Sequence, residues 1–208
     1  MAARLLPLFP LRAVVFPGTR LALHVFEERY KEMVGEAIRE ASEFGIILER
    51  EEGIFNTGCT VTVEKVLKLH EDGSMDILTA GRRRFEVVML NEQKAYLQAE
   101  VQFFGDEDTS PPAAEARERA LANYRALLAA GGGEPGGPPD AAGVELSFQL
   151  AQAIPDPEFL GMLLRTRSEA ERLREYNEYM ARYLPRQQAI ARAQRIAPTN
   201  GRAGASPR

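Results

Sequence analysis

Thr60-Val61-Thr62-Val63-Glu64-Lys65-Val66-Leu67, then Glu71-Asp72-Gly73-Ser74, then a long run from Met75 to about Leu90, is the stretch on which the fold turns. β-Branched side chains crowd a helix and sit well on a pleated surface, so the first run predicts a strand. Asp-Gly supplies the positive φ of a tight hairpin, so Glu71–Ser74 predicts the turn and Met75–Leu90 the return strand. Gly81 interrupts that return, and a bulge is expected there. Upstream, Phe44-Gly45-Ile46-Ile47-Leu48 predicts another strand. Downstream, Ala95 to Phe104 alternates Tyr96, Gln98, Glu100 and Gln102 with Leu97, Ala99, Val101 and Phe103, which predicts the last one.

Residues 5–25 break their apolar runs with Pro7, Pro10, Pro17 and Gly18. Proline cannot donate to a ladder, so these are expected as short strands at sheet edges or bends. From Phe26 the period becomes helical. Phe26, Tyr30, Met33 or Val34, Ala37 and Ala41 share one face and a row of glutamates takes the other, which predicts a helix over about 26–42. The sum is a mostly antiparallel sheet of about six strands with one helix inserted early.

Composition shifts at Gly105–Pro112, an acidic linker closed by two prolines. Beyond it the pattern predicts helices over 113–130, 144–153 and 157–164, the last opened by Asp156 with Pro157 at its first position. Ser168 and Glu171 make a capping box for a further helix with the stripe Leu173, Tyr176 and Met180. At helical spacing Tyr176, Tyr179, Tyr183 and Met180 read as bundle core rather than as a binding strip. Gln187 to Ile196 keeps some helical character, and the last ten residues or so are expected to be disordered. The organisation expected is therefore α+β: a β lobe over 1–108, a linker over 109–112, a helical lobe over 113–186 and a basic, partly disordered tail over 187–208.

The chain has 208 residues, 45% hydrophobic and 27% charged, enough to bury a core without staples. Its single cysteine, Cys59, forbids an internal disulfide and points to a reducing, cytoplasmic setting. With only His24 and His70, far apart in sequence, no metal centre is expected. No run approaches the ~18 apolar residues of a spanning helix, so no membrane association is expected. Residues 1–110 carry 13 basic and 19 acidic side chains, whereas 186–208 carry five arginines and no acid. An acidic body is not the footprint of a dedicated nucleic-acid binder. A phosphate loop needs Gly before its Lys; Lys31, Lys65, Lys68 and Lys94 follow Tyr, Glu, Leu and Gln, so no nucleotide is expected. Gly131–Gly136 fits Gly-x-Gly-x-x-Gly, but no strand precedes it and Pro135 lies inside it, so it reads as a loop. Ser74, Ser147 and Ser168 sit in a turn, a helix and a cap, and none lies in Gly-x-Ser-x-Gly. No catalytic residue, cofactor or enzymatic activity is expected.

Two groups stand out as candidate binding residues. Phe9, Phe16 and Phe55 sit beside prolines or in a loop-like context, where large rings are harder to bury. Exposed together they would form a contact patch; otherwise they fill the interior of the β lobe. Arg82-Arg83-Arg84 is the sharpest charge run. On a regular strand Arg82 and Arg84 share a face and Arg83 takes the other. They serve either a polar ligand or salt bridges to neighbouring acids.

Leu6-Pro7-Leu8-Phe9-Pro10-Leu11-Arg12-Ala13-Val14-Val15-Phe16-Pro17-Gly18, followed by Leu23-His24-Val25-Phe26-Glu27, resembles the opening of the Lon protease N-terminal domain family. Thr79-Ala80-Gly81-Arg82-Arg83-Arg84-Phe85 is similar to that family's Glu-Gly-x-x-Arg segment, with Ala80 in place of the acid. Leu146–Ala151, Leu160–Leu164 and Ser168–Leu173 resemble its helical lobe. The resemblance implies a PUA-like pseudo-barrel β lobe followed by an α-helical lobe, in a stand-alone form lacking the ATPase and protease domains. It further implies a non-catalytic module that recognises unfolded or partner protein segments. A PUA-like RNA-binding protein is the alternative, favoured by the arginine run and the basic tail.

Overall fold

The computed structural model describes residues 5–131 and 138–196. The expected disorder of the last ten residues, and the loop at Gly131–Gly136 beyond Gly131 itself, lie outside them. Among the described residues there are six strands and five helices: β1 (Leu6–Leu11), β2 (Arg20–Val25), α1 (Glu28–Glu40), β3 (Phe44–Arg50), β4 (Gly53–Leu69), β5 (Met75–Asn91), β6 (Gln98–Phe104), α2 (Ala114–Ala129), α3 (Leu146–Ala151), α4 (Pro157–Arg165) and α5 (Glu169–Ile196). They group into two units. The first takes the chain up to Asp108 together with Asp156–Arg167; the second takes Thr109–Pro155 and the chain from Ser168 on.

In the first unit the strand order is β2-β5-β4-β3-β1-β6, and β6 also pairs with β5, so the sheet curls into a pseudo-barrel. Every pair is antiparallel except β1–β3, which the crossover through β2 and α1 makes parallel. The two prolines of β1 are accommodated because its pairing is staggered: Leu6 and Pro7 face β6, whereas Leu8 to Leu11 face β3. Leu8, Ile47, Phe85 and Ala99 form a buried cluster inside the curl. Phe85 is admitted by a missing side chain, because a Cβ on Gly58 would lie 2.4 Å from its ring and 2.5 Å from the Ile46 carbonyl oxygen. Helix α1 covers a face of the sheet with Tyr30, Met33, Val34 and Ala37.

Helix α4 belongs to this unit and not, as its place in the expected lobe over 113–186 implies, with the helices after Pro112. An apolar face shows that a helix is covered, not by what. Asp156 caps it by accepting from the Phe159 N–H at 3.1 Å, with Pro157 in the first turn. Gly161 brings it against Leu48 and Phe55.

The second unit contains α2, α3 and α5. Leu173, Tyr176 and Met180 are wholly buried in it, and Ser168 caps α5 by accepting from the Glu171 N–H at 3.3 Å. Helix α5 continues through Pro185 to Ile196. Proline removes the bond to the Ala181 carbonyl; both residues lie on the exposed side, where water can take that acceptor.

Candidate functional site

The three phenylalanines do not form an exposed patch. Phe9, Phe16 and Phe55 are 5%, 1% and 6% exposed. Phe9 lies inside β1 and stacks on Tyr30 of α1 with ring centroids 4.1 Å apart. Phe55 is in β4 rather than a loop, packed beside Gly161 and covered by the Arg50 guanidinium 4.0 Å from its ring. Phe16 begins a tight turn in which the Thr19 hydroxyl donates to the Phe16 carbonyl at 2.9 Å and accepts from the Phe16 N–H at 3.1 Å. That turn rests on Gly81, whose absent side chain would lie 2.0 Å from the Phe16 oxygen. Prolines here terminate and bend strands; they do not push the neighbouring rings outward.

The arginine run is split by the bulge expected near Gly81. Val61 pairs with Gly81 and Cys59 with Arg84, so Arg82 and Arg83 together oppose Thr60. The extra residue breaks the alternation, and Arg82 and Arg84 do not share a face. Arg84 turns inward to 3% exposure, donating to the Leu164 and Thr166 carbonyls at 3.2 and 2.8 Å and pairing with Asp106. It holds the end of α4 to the sheet. Arg83 pairs with Glu43 at 2.9 Å and lies over the Phe103 ring. Arg82 is exposed and makes no ion pair among the described residues.

Two clusters have the residue types of a reactive site and the electrostatics of a structural one. In the first unit the Tyr96 hydroxyl donates to Glu36 at 2.6 Å, and Lys94 reaches both at 2.6 and 3.0 Å. Those bonds hold the Glu36 carboxyl below its usual range and raise the Lys94 ammonium above its own; burial, then the bond to Glu36, raises the Tyr96 hydroxyl. Each shift favours the resting protonation state and moves the group away from neutrality, opposite to what a general acid or base needs. In the second unit the Ser147 hydroxyl donates to Glu169 at 2.6 Å, and Arg172 donates to Ser147 at 3.0 Å and pairs with Glu169 at 2.9 Å. All three are buried, and no histidine stands by as a base.

Surface chemistry is concentrated elsewhere in the first unit. β5 outruns β4: their last pair is Thr57 with Glu86, and β5 continues to Asn91 against β6 alone. A second register shift, between Val87 and Met89, breaks the alternation again. Val88, Met89 and Leu90 in consequence stand 61%, 59% and 43% exposed on a stretch with no strand on its other side among the described residues. The far end of the hairpin exposes Phe26, Leu67 and Leu69. Beside them His24 and His70 both meet Asp76, at 2.7 and 2.9 Å. The sequence carried no clear signal for the β5 surface, since Ile46, Ile47 and Leu48 of β3 are also consecutive and apolar, and all three are buried. No signal joined the two histidines.

Residues 5–180 match the family described as the ATP-dependent protease La (LON) substrate-binding domain. The chain is 29% identical to the Lon protease of Parabacteroides distasonis over 125 residues, 56% of this chain and 15% of that one. It is 31% identical to Lon protease 2 of Myxococcus xanthus over 116 residues, 51% of this chain and 14% of that one. It thus spans a small fraction of the length of the curated relatives it matches. Among solved structures, a Lon N-terminal domain protein from Xanthomonas campestris superposes with a TM-score of 0.67 at 26% identity, over 83% of this chain and 96% of that one. The N-terminal domain of a Mycobacterium avium complex Lon protease shares the fold, with a TM-score of 0.61 at 16% identity over 86% of this chain and 100% of that one. An α+β pseudo-barrel with appended helices, matched along most of its length, belongs to the LON substrate-binding domain family.

Proposed function

We propose that the chain is a non-catalytic module that captures extended, apolar segments of unfolded or partner proteins along β5 at Val88–Leu90. One observation carries this reading: three consecutive apolar side chains stand in solvent on a stretch of strand whose outer edge has no partner strand among the described residues. A free edge offers backbone donors and acceptors to an added strand of any sequence, and alternate side chains supply apolar contact. That combination suits clients recognised for being unfolded rather than for a motif. Full burial of Val, Met or Leu is worth about 1.5–3 kcal/mol apiece. After the cost of association, micromolar affinity is the expected scale.

No catalysis is assigned, because the bonds among Glu36, Lys94 and Tyr96 favour their resting protonation states and Ser147 is buried between Glu169 and Arg172. A reducing, cytoplasmic setting suits the buried Cys59. The RNA-binding alternative loses ground because Arg83 and Arg84 are already paired to Glu43 and Asp106.

The test is binding of a permanently unfolded, carboxymethylated client by fluorescence anisotropy, with Met89→Asp beside the wild type. Affinity should fall about tenfold or more while Tm moves by no more than about 2 °C, as for a surface substitution. Unchanged affinity would contradict the reading. Binding to a single-stranded RNA that exceeds client binding and collapses with added salt would favour the alternative.

A further inference from the structure

His24 and Asp76 face each other directly across the β2–β5 pair, and His70 opens the turn that leads back into β5. The carboxylate of Asp76 lies between the two rings, Oδ1 at 2.7 Å from His24 Nδ1 and Oδ2 at 2.9 Å from His70 Nε2. The three donor atoms all lie within 4.8 Å of one another. The backbone beneath them is fixed. The His70 N–H donates to Ser74 and the Gly73 N–H to His70, at 2.8 and 3.0 Å, while Asp72 accepts from both the N–H and the hydroxyl of Ser74.

We propose that His24, His70 and Asp76 are a three-ligand site for a divalent transition metal, with Zn²⁺ the fitting ion. Two imidazoles and one carboxylate suit a borderline ion that accepts four-coordinate geometry; Mg²⁺ and Ca²⁺ want more oxygen donors than this site offers. Zinc bonds of about 2.0–2.2 Å set neighbouring tetrahedral donors roughly 3.3–3.6 Å apart. Small side-chain rotations reach that spacing, and the side chains have room, being 53%, 28% and 35% exposed. Each neutral imidazole turns a lone pair to the ion by carrying its proton on the other ring nitrogen. One ion replaces two hydrogen bonds, cross-links β2 to the β4–β5 hairpin and leaves its fourth position to water.

The experiment is titration of the tag-free full chain with Zn²⁺ by calorimetry, and with Co²⁺ by visible absorption. One equivalent should bind, with the intense Co²⁺ bands of a four-coordinate site. His24→Gln and His70→Gln should each weaken binding about tenfold or more, as loss of a ligand does. Glu36→Gln should leave it unchanged. Absence of stoichiometric binding to the wild type would overturn the proposal, as would wild-type affinity in the double variant His24→Gln/His70→Gln. If the variants fail to fold, the wild type decides. Zn²⁺ must shift the ¹⁵N resonances of His24 Nδ1 and His70 Nε2, and unmoved resonances would overturn it.

Discussion

The pseudo-barrel unit and the helical unit differ in how much apolar side chain they leave in solvent. The pseudo-barrel fills its interior mostly with rings and aliphatics, Phe85 seated over Gly58 and Arg84 the charged exception, and leaves Val88, Met89, Leu90, Phe26, Leu67 and Leu69 outside. The helical unit buries a charged trio, Ser147, Glu169 and Arg172, and an amide pair in which Asn123 donates to Asn177 at 2.9 Å. Of the large apolar side chains exposed among the described residues, only Val144 and Ile190 fall in it. Polar groups specify a core through directed bonds, at a desolvation cost that a mostly satisfied network offsets. Apolar groups left in solvent have no such return within the monomer, so they point to a partner. On the proposed reading, binding belongs to the pseudo-barrel and architecture to the helices.

Removing one charge should hurt the helical unit most. Glu169→Ala leaves Arg172 buried without its carboxylate and should cost about 3–5 kcal/mol in urea unfolding. Replacing both partners with Leu and Met should cost less than the single change. The pseudo-barrel should be sensitive to volume instead. Gly58→Ala drives a methyl into Phe85 and the Ile46 carbonyl and should cost about 1–3 kcal/mol. Addition of Phe85→Leu should recover part of that loss if the clash is the cause.

Smaller effects sharpen the same contrast. The Tyr176 hydroxyl is the one buried side-chain polar atom without a partner among the described residues, and burial raises its pKa. Tyr176→Phe should therefore stabilise the chain by about 1 kcal/mol in the same assay. On the pseudo-barrel, the Tyr96 hydroxyl and Lys94 hold Glu36 below its ordinary value of 4.5. The folded pKa is lowered, so its contribution is present above pH 4.5 and lost as the pH falls through the lowered value. Glu36→Gln should lower the neutral plateau of Tm slightly and leave the acid end unmoved, so that the acid limb of Tm against pH flattens.

Much of the frame was legible from local chemistry. Asp72-Gly73 marked the hairpin, Asp156-Pro157 and Ser168 with Glu171 marked two helix starts, and the opening motif marked the family. What stayed hidden depends on register and on contacts distant in sequence. The bulge at Gly81 was readable, but not that two residues would oppose Thr60 and turn Arg84 inward toward α4. Whether Phe9, Phe16 and Phe55 form a patch or fill the interior stayed open, because proline signals a break in a ladder without saying which side of the sheet a neighbouring ring takes. Helix α5 passed Pro185 because the orphaned carbonyl faces solvent, a matter of helix rotation. His24 and Asp76 are 52 residues apart and meet only through the β2–β5 register.

Hydrogen–deuterium exchange of the full chain, with and without saturating unfolded client, tests the central claim most directly. Added-strand capture should protect amides of residues 87–91 and leave α2 and α5 unchanged. Protection confined to the helices, with residues 87–91 exchanging as in the free protein, would contradict it.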